Sequence, residues 1–146
     1  MRKNASGAFP SRPLARAALL VSDLVTWVVC LGLATVLRDD GALDRLTGGG
    51  FATTILLACG FQVVLGGAIR LYQGGSRPAS LDEAFAVTVV ALAIGALLVG
   101  LVLVVDPSRL VPIAVPFGAA PTAAITMVAV RWGLQRIREP RARDRS

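Results

Sequence analysis

Histidine is missing from this 146-residue sequence, which removes the commonest general base and the commonest metal ligand at neutral pH. There are only two cysteines, Cys30 and Cys59. Each sits inside a long apolar run, and neither belongs to a CxxC or Cys/His arrangement. A metal site or a disulfide framework is therefore not expected. The two thiols read as small packing residues, with an interhelical disulfide as the alternative. Charged residues make up 16% and aromatics 5% of the chain, where a soluble domain carries about 25% charged residues. The net charge of +6 does not indicate nucleic-acid binding, because the basic residues flank apolar blocks and are not interleaved with polar or aromatic ones.

Apolar residues dominate, at 55%, and they are concentrated in four blocks at about 17–37, 50–69, 84–105 and 110–130. A soluble helical domain would spread them as stripes with a 3.6-residue period. A hydrocarbon core about 30 Å thick takes about 20 helical residues to cross, and each block has that length. The runs are continuous, not alternating ten-residue segments, so helices are expected and a β-barrel is not. The first block is also too long for the apolar region of a signal peptide, and no A-x-A site precedes the charges at Arg38–Asp40. The expected organisation is a basic leader at 1–16, a four-helix transmembrane domain at 17–134 and a basic tail at 135–146.

Charge orients these spans. With the N-terminus inside, the leader, the loop after the second span and the tail hold twelve of the fifteen lysines and arginines. The outer loops hold only Arg38, Arg45 and Arg109, balanced by nearby aspartates. Such an excess follows the positive-inside rule. The fold class expected is an all-α integral membrane protein, an antiparallel bundle of four transmembrane helices with both ends in the cytoplasm. The Asp106–Arg109 joint, with Pro107, reads as a tight turn that folds spans three and four into a hairpin.

Inside the membrane, helices associate through small residues that let backbones approach. The third span offers Ala91-x-x-x-Gly95 and Ala96-x-x-x-Gly100. The fourth offers Gly118-x-x-x-Thr122 and Ala119-x-x-x-Ala123. Pro116 and Pro121 are expected to remove helical hydrogen bonds and bend the fourth span. Asp23 is the one acidic residue within a span, some six residues into the first. An ionisable group there is costly unless paired, and Arg131, ending the fourth span on the same side, is a partner within reach. A lipid-headgroup contact is the alternative.

The loop after the second span has its own logic. Ser80-Leu81-Asp82-Glu83 fits a capping box, which would start the third helix at Leu81 with Glu83 turned back toward Ser80. Tyr72 suits the membrane interface, and Arg70 and Arg77 read as topology signals and contacts for anionic lipid.

From this loop outward the chain resembles a known family, the N-terminal membrane region of bacterial polysaccharide-biosynthesis proteins of the CapD-like type. The resemblance rests on several residues in order and spacing. They are Asp23 early in the first span, Leu37-Arg38 closing it, Arg70-Leu71-Tyr72-Gln73 through Arg77-Pro78-Ala79-Ser80 to Glu83, Val111-Pro112 through Val115-Pro116, and Arg131. Arg70 stands where the pattern has Gly, Gln73 where it has Arg, and Pro78 where it has an aromatic. The resemblance implies a multi-pass protein of the bacterial cytoplasmic membrane that anchors nucleotide-sugar chemistry for envelope or capsular polysaccharide. Its partners would be the bilayer, an anionic or polyprenyl-phosphate lipid, a second copy or other envelope-glycan proteins. In that family activity lies in a following dinucleotide-binding domain. These 146 residues carry neither its glycine-rich motif nor a Ser/Tyr/Lys set, so no enzyme activity and no cofactor are expected of them. The site residues implied, as structural or lipid-headgroup contacts, are Asp23, Arg38, Arg70, Tyr72, Arg77, Ser80, Glu83 and Arg131. Two alternatives carry weight. One is a small transporter or channel subunit, suggested by the prolines of the fourth span. The other is the membrane region of a polyprenyl-phosphate sugar-phosphate transferase.

Overall fold

The structure, a computed structural model, describes residues 12–38, 46–69, 71, 81–105 and 111–138. Four helices account for nearly all of them: α1 (Arg12–Arg38), α2 (Gly49–Ala68), α3 (Leu81–Val104) and α4 (Ala114–Arg138). Among the described residues there is no strand. Each helix contains a stretch long and apolar enough to cross a membrane. At about 1.5 Å per residue, the 20 residues of α2 and the 24 of α3 extend roughly 30 and 36 Å. The leader upstream of residue 12, the Asp106–Arg109 turn and the Ser80 cap lie outside the described residues.

The main packings are α1 on α2, α2 on α3, α3 on α4 and α4 back on α1, which closes a four-membered ring. Glu83, early in α3, meets Arg131, late in α4, and along α1 Asp23 meets Gln62, late in α2, while Gly32 lies beside Phe51, early in α2, so these neighbours run in opposite directions. The centre is filled by Trp27, Leu31, Val87, Val90, Ile94, Leu98 and Met127, all buried. Most of each span faces outward, and that outer surface is apolar: Val21, Val29, Leu56, Val64, Leu103, Phe117 and Ile125 are all exposed. A water-soluble bundle rarely leaves contiguous apolar surface on this scale uncovered.

Of the small-residue pairs, the structure selects those facing the bundle. Ala91, Gly95, Ala119, Ala120 and Ala123 are buried, and a Cβ added at Gly95 would overlap Cβ of Ala120. Helices α3 and α4 are that close because both present small residues at the crossing. Gly118 and Thr122 face outward, and Gly100 has open space where a Cβ would be.

Helix α1 begins at Arg12, and its spanning stretch is Arg16–Arg38. One local expectation, for Pro116, is corrected. Helix α4 begins at Ala114, not near residue 110, so Pro116 falls in the first turn. Its missing N–H has no carbonyl to meet there, and no bend is needed. The turn is closed by bonds from Val115 N–H to the Pro112 carbonyl and from Phe117 N–H to that of Ile113. Only Pro121 lies within the helix body.

Candidate functional site: a buried polar network joining four helices

Between the first turn of α3 and the middle of α1, one polar network takes side chains from all four helices. Arg131 of α4 is at its centre and is 5% exposed. Its Nη2 donates to Oδ2 of Asp23 on α1 at 2.8 Å, and its Nη1 to Oε1 of Glu83 on α3 at 2.6 Å. The planar guanidinium with donors on separate nitrogens is what lets one side chain hold two carboxylates from two helices. Asp23, 2% exposed, also accepts a long 3.4 Å bond from Nε2 of Gln62 on α2. Oε1 of Gln62 in turn accepts from the Trp27 indole N–H at 3.0 Å. The run Trp27–Gln62–Asp23–Arg131–Glu83 thus ties the four helices together in a single register.

The local sequence explains these placements. Trp27 follows Asp23 by four residues, so both lie on one face of α1. Glu83 sits in the first turn of α3, where a carboxylate suits the helix dipole. Arg131 lies close to the end of the apolar part of α4, so its long side chain can turn inward while its backbone stays near the polar boundary. Burial makes the arrangement consequential. A charge withdrawn from water is tolerated only when it is paired and hydrogen-bonded, and removing any member strands the others.

Of the expected site residues, Asp23, Glu83 and Arg131 come together. Arg38 does not: it closes α1 at the opposite end, exposed, roughly 22 Å along the helix from Asp23. Arg70, Tyr72, Arg77 and Ser80 lie outside the described residues. Trp27 and Gln62 belong to the network and were not singled out from the sequence. Gln62 is the only amide side chain in its apolar block, and that isolation was the available signal. Reading Glu83 as a cap residue also missed its bond across to α4.

Chemically the network is a clamp of two carboxylates on one guanidinium. Among the described residues, no three His, Cys, Asp or Glu side chains gather where they could hold a metal ion. Nε of Arg131 is buried and has no hydrogen-bond partner among the described residues. Comparison with family models, with curated proteins and with solved structures finds no match for this chain.

Proposed function

We propose that this chain is a membrane-anchor or scaffold module of a bacterial cytoplasmic membrane, crossing it four times with both ends inside. In this reading it positions envelope-glycan, nucleotide-sugar chemistry at the cytoplasmic face and is not itself the catalyst. The carrying observation is the convergence of Asp23, Glu83 and Arg131 on one ion network. These residues come from three separate parts of the motif pattern that resembles CapD-like polysaccharide-biosynthesis proteins. Their meeting supplies a physical reason for the pattern: it encodes the clamp that holds the anchor together. The apolar outer surface supports the crossing, and the excess of basic residues in the leader, middle loop and tail supports the orientation.

The transporter reading requires a polar path through the bundle. The axis is filled by Leu31, Val90, Ile94 and Leu98, and that favours the anchor. A membrane region of a polyprenyl-phosphate sugar-phosphate transferase would place the same class of chemistry at the same face, so it differs in partner more than in role.

The test is deletion of the coding segment in its own cell, with surface polysaccharide measured by composition and amount. The expected result is a loss of one surface glycan, restored by the wild-type chain and not by Arg131→Leu. Unchanged surface polysaccharide would overturn the reading.

A further inference from the structure

Arginines recur at one end of the α1–α4 pair at a spacing that matches the helices carrying them. Asp23 of α1 meets Arg131 of α4, and further along, the Cys30 side chain of α1 lies beside that of Thr126 of α4. Helices α1 and α4 are therefore antiparallel neighbours. Outward from the clamp, Arg16 comes seven residues before Asp23 and Arg138 seven residues after Arg131, and all four lie within α1 or α4. Seven residues make nearly two turns. Position 16 thus returns to the face of α1 that carries Asp23, and position 138 to the face of α4 that carries Arg131. The two positions stand at one level, roughly 10 Å beyond the clamp. Packed helices have axes about 8–10 Å apart, a gap that two arginine side chains can bridge. Arg12 continues the same face of α1 one turn further out. Arg136 does not belong to this set, because five residues after Arg131 it lies roughly 140° around α4.

That level is the level of lipid headgroups. The spanning stretches of α1 and α4 stop at Arg16 and Gly133. Trp132, half exposed, marks the interface on α4, where an amphipathic indole belongs. Arg138 comes six residues later, roughly 9 Å outward, in the polar layer outside the hydrocarbon core. Arg16 is exposed, as are Leu14, Ala17 and Ala18 around it, so this end of α1 is open to a ligand. We infer that Arg12, Arg16 and Arg138 hold the phosphate of one anionic glycerophospholipid from the cytoplasmic leaflet. The inference rests on the four-span reading with both ends inside. Topology alone accounts for an excess of basic residues on one side, but it asks only for their sign and is met by arginines at any turn. Here the helical register brings them to matching positions on two packed helices. Like charges so placed repel, and a phosphate shared between them takes charge-assisted hydrogen bonds from both forks. In that layer of the cytoplasmic leaflet the available anion is the lipid phosphate, and its acyl chains lie along the apolar spans.

The probe is phosphatidylglycerol, added to the full chain in mild detergent in competition with phosphatidylcholine, with the mass of the intact complex measured. Wild-type protein is expected to retain one phosphatidylglycerol in preference to phosphatidylcholine. Arg16→Gln and Arg138→Gln should each lower that retention about fivefold, the effect of one arginine near an anionic surface. Arg136→Gln removes the same charge from another face of α4 and should leave retention unchanged. An equal fall in all three variants overturns the inference, because charge without position would then account for binding. A wild-type protein with no preference overturns it too. Glycerol phosphate, which carries the phosphate without the chains, should not displace the lipid at equal concentration. Displacement would make the ligand a soluble phosphate and contradict the lipid assignment. Circular dichroism checks that Arg16→Gln has kept its helices. If it has not, Arg16→Lys, which keeps the charge and loses the planar fork, should lower retention in the same direction. Extraction of native membranes with alkaline carbonate separates the two ways of failing. A chain released by carbonate refutes the membrane reading itself, while a chain that stays embedded without preferring phosphatidylglycerol refutes only the phosphate site.

Discussion

The two ends of the bundle hold their polar groups in opposite ways. From the first turn of α3 to the middle of α1, Trp27, Gln62, Asp23, Arg131 and Glu83 bond from helix to helix, with Thr26 beside them bonded to the Ser22 carbonyl of its own helix. Toward the other end the buried polar side chains are Thr35 and Thr54. Their hydroxyls go back to carbonyls of their own helices, those of Leu31 and Gly50, each at 2.8 Å. A threonine satisfied within its own helix says nothing about where its neighbour lies, whereas a guanidinium shared by two carboxylates permits one arrangement only. Between the ends, the Gly95–Ala120 crossing brings α3 and α4 close by shape alone. In the four-span reading, where hiding leucine from leucine contributes little to association, register is set by the ion network and closeness by the Gly95–Ala120 crossing. The far end follows from both.

Substitutions can break or sharpen this contrast. The largest effect is expected from Arg131→Leu, which strands Asp23 and Glu83 in the interior. Breaking a buried ion pair in this way costs about 3–5 kcal/mol, to be read from equilibrium unfolding in mixed micelles. Gly95→Ala comes next, with overpacking of about 1–3 kcal/mol, and Ala120→Gly on that background should restore most of the loss. Recovery of that kind would place the strain at the crossing itself. Gln62→Leu removes the acceptor of the Trp27 indole and should cost about 1 kcal/mol, with a blue shift of Trp27 emission as a second readout. At the far end, Thr35→Val should change stability by no more than about 0.5 kcal/mol. A Thr35 effect as large as that of Gln62 would erase the distinction between the ends.

Much of this architecture could be read from the residues alone. Four blocks of spanning length announced four apolar helices, because hydropathy over 20 residues is a strong signal. Asp23 with Arg131 was legible because a lone acid in a span needs a partner and few basic residues end a span beside it. Trp27 and Gln62 were not, because a neutral amide and an indole carry little apparent cost until their neighbours are known. Pro116 was misjudged for a similar reason. A proline breaks or starts a helix according to where the first turn lies, and hydropathy places that turn only to within a few residues. Which small-residue pair makes the α3–α4 crossing was equally hidden, since Ala91–Gly95 and Ala96–Gly100 have the same spacing and differ only in the face they present.

The most direct test of the oriented four-span account is cysteine accessibility in intact cells. On a Cys30→Ala, Cys59→Ala background, single cysteines would replace Ala5, Ala42, Ser76, Ser108 and Ser146 in turn, each probed with a membrane-impermeant maleimide. The account predicts labelling at 42 and 108 from outside, and labelling at 5, 76 and 146 only after the membrane is permeabilised. That outcome would place the Asp23–Arg131–Glu83 clamp at the cytoplasmic boundary. Labelling of position 5 or 146 in intact cells, or of all five positions alike, would contradict it.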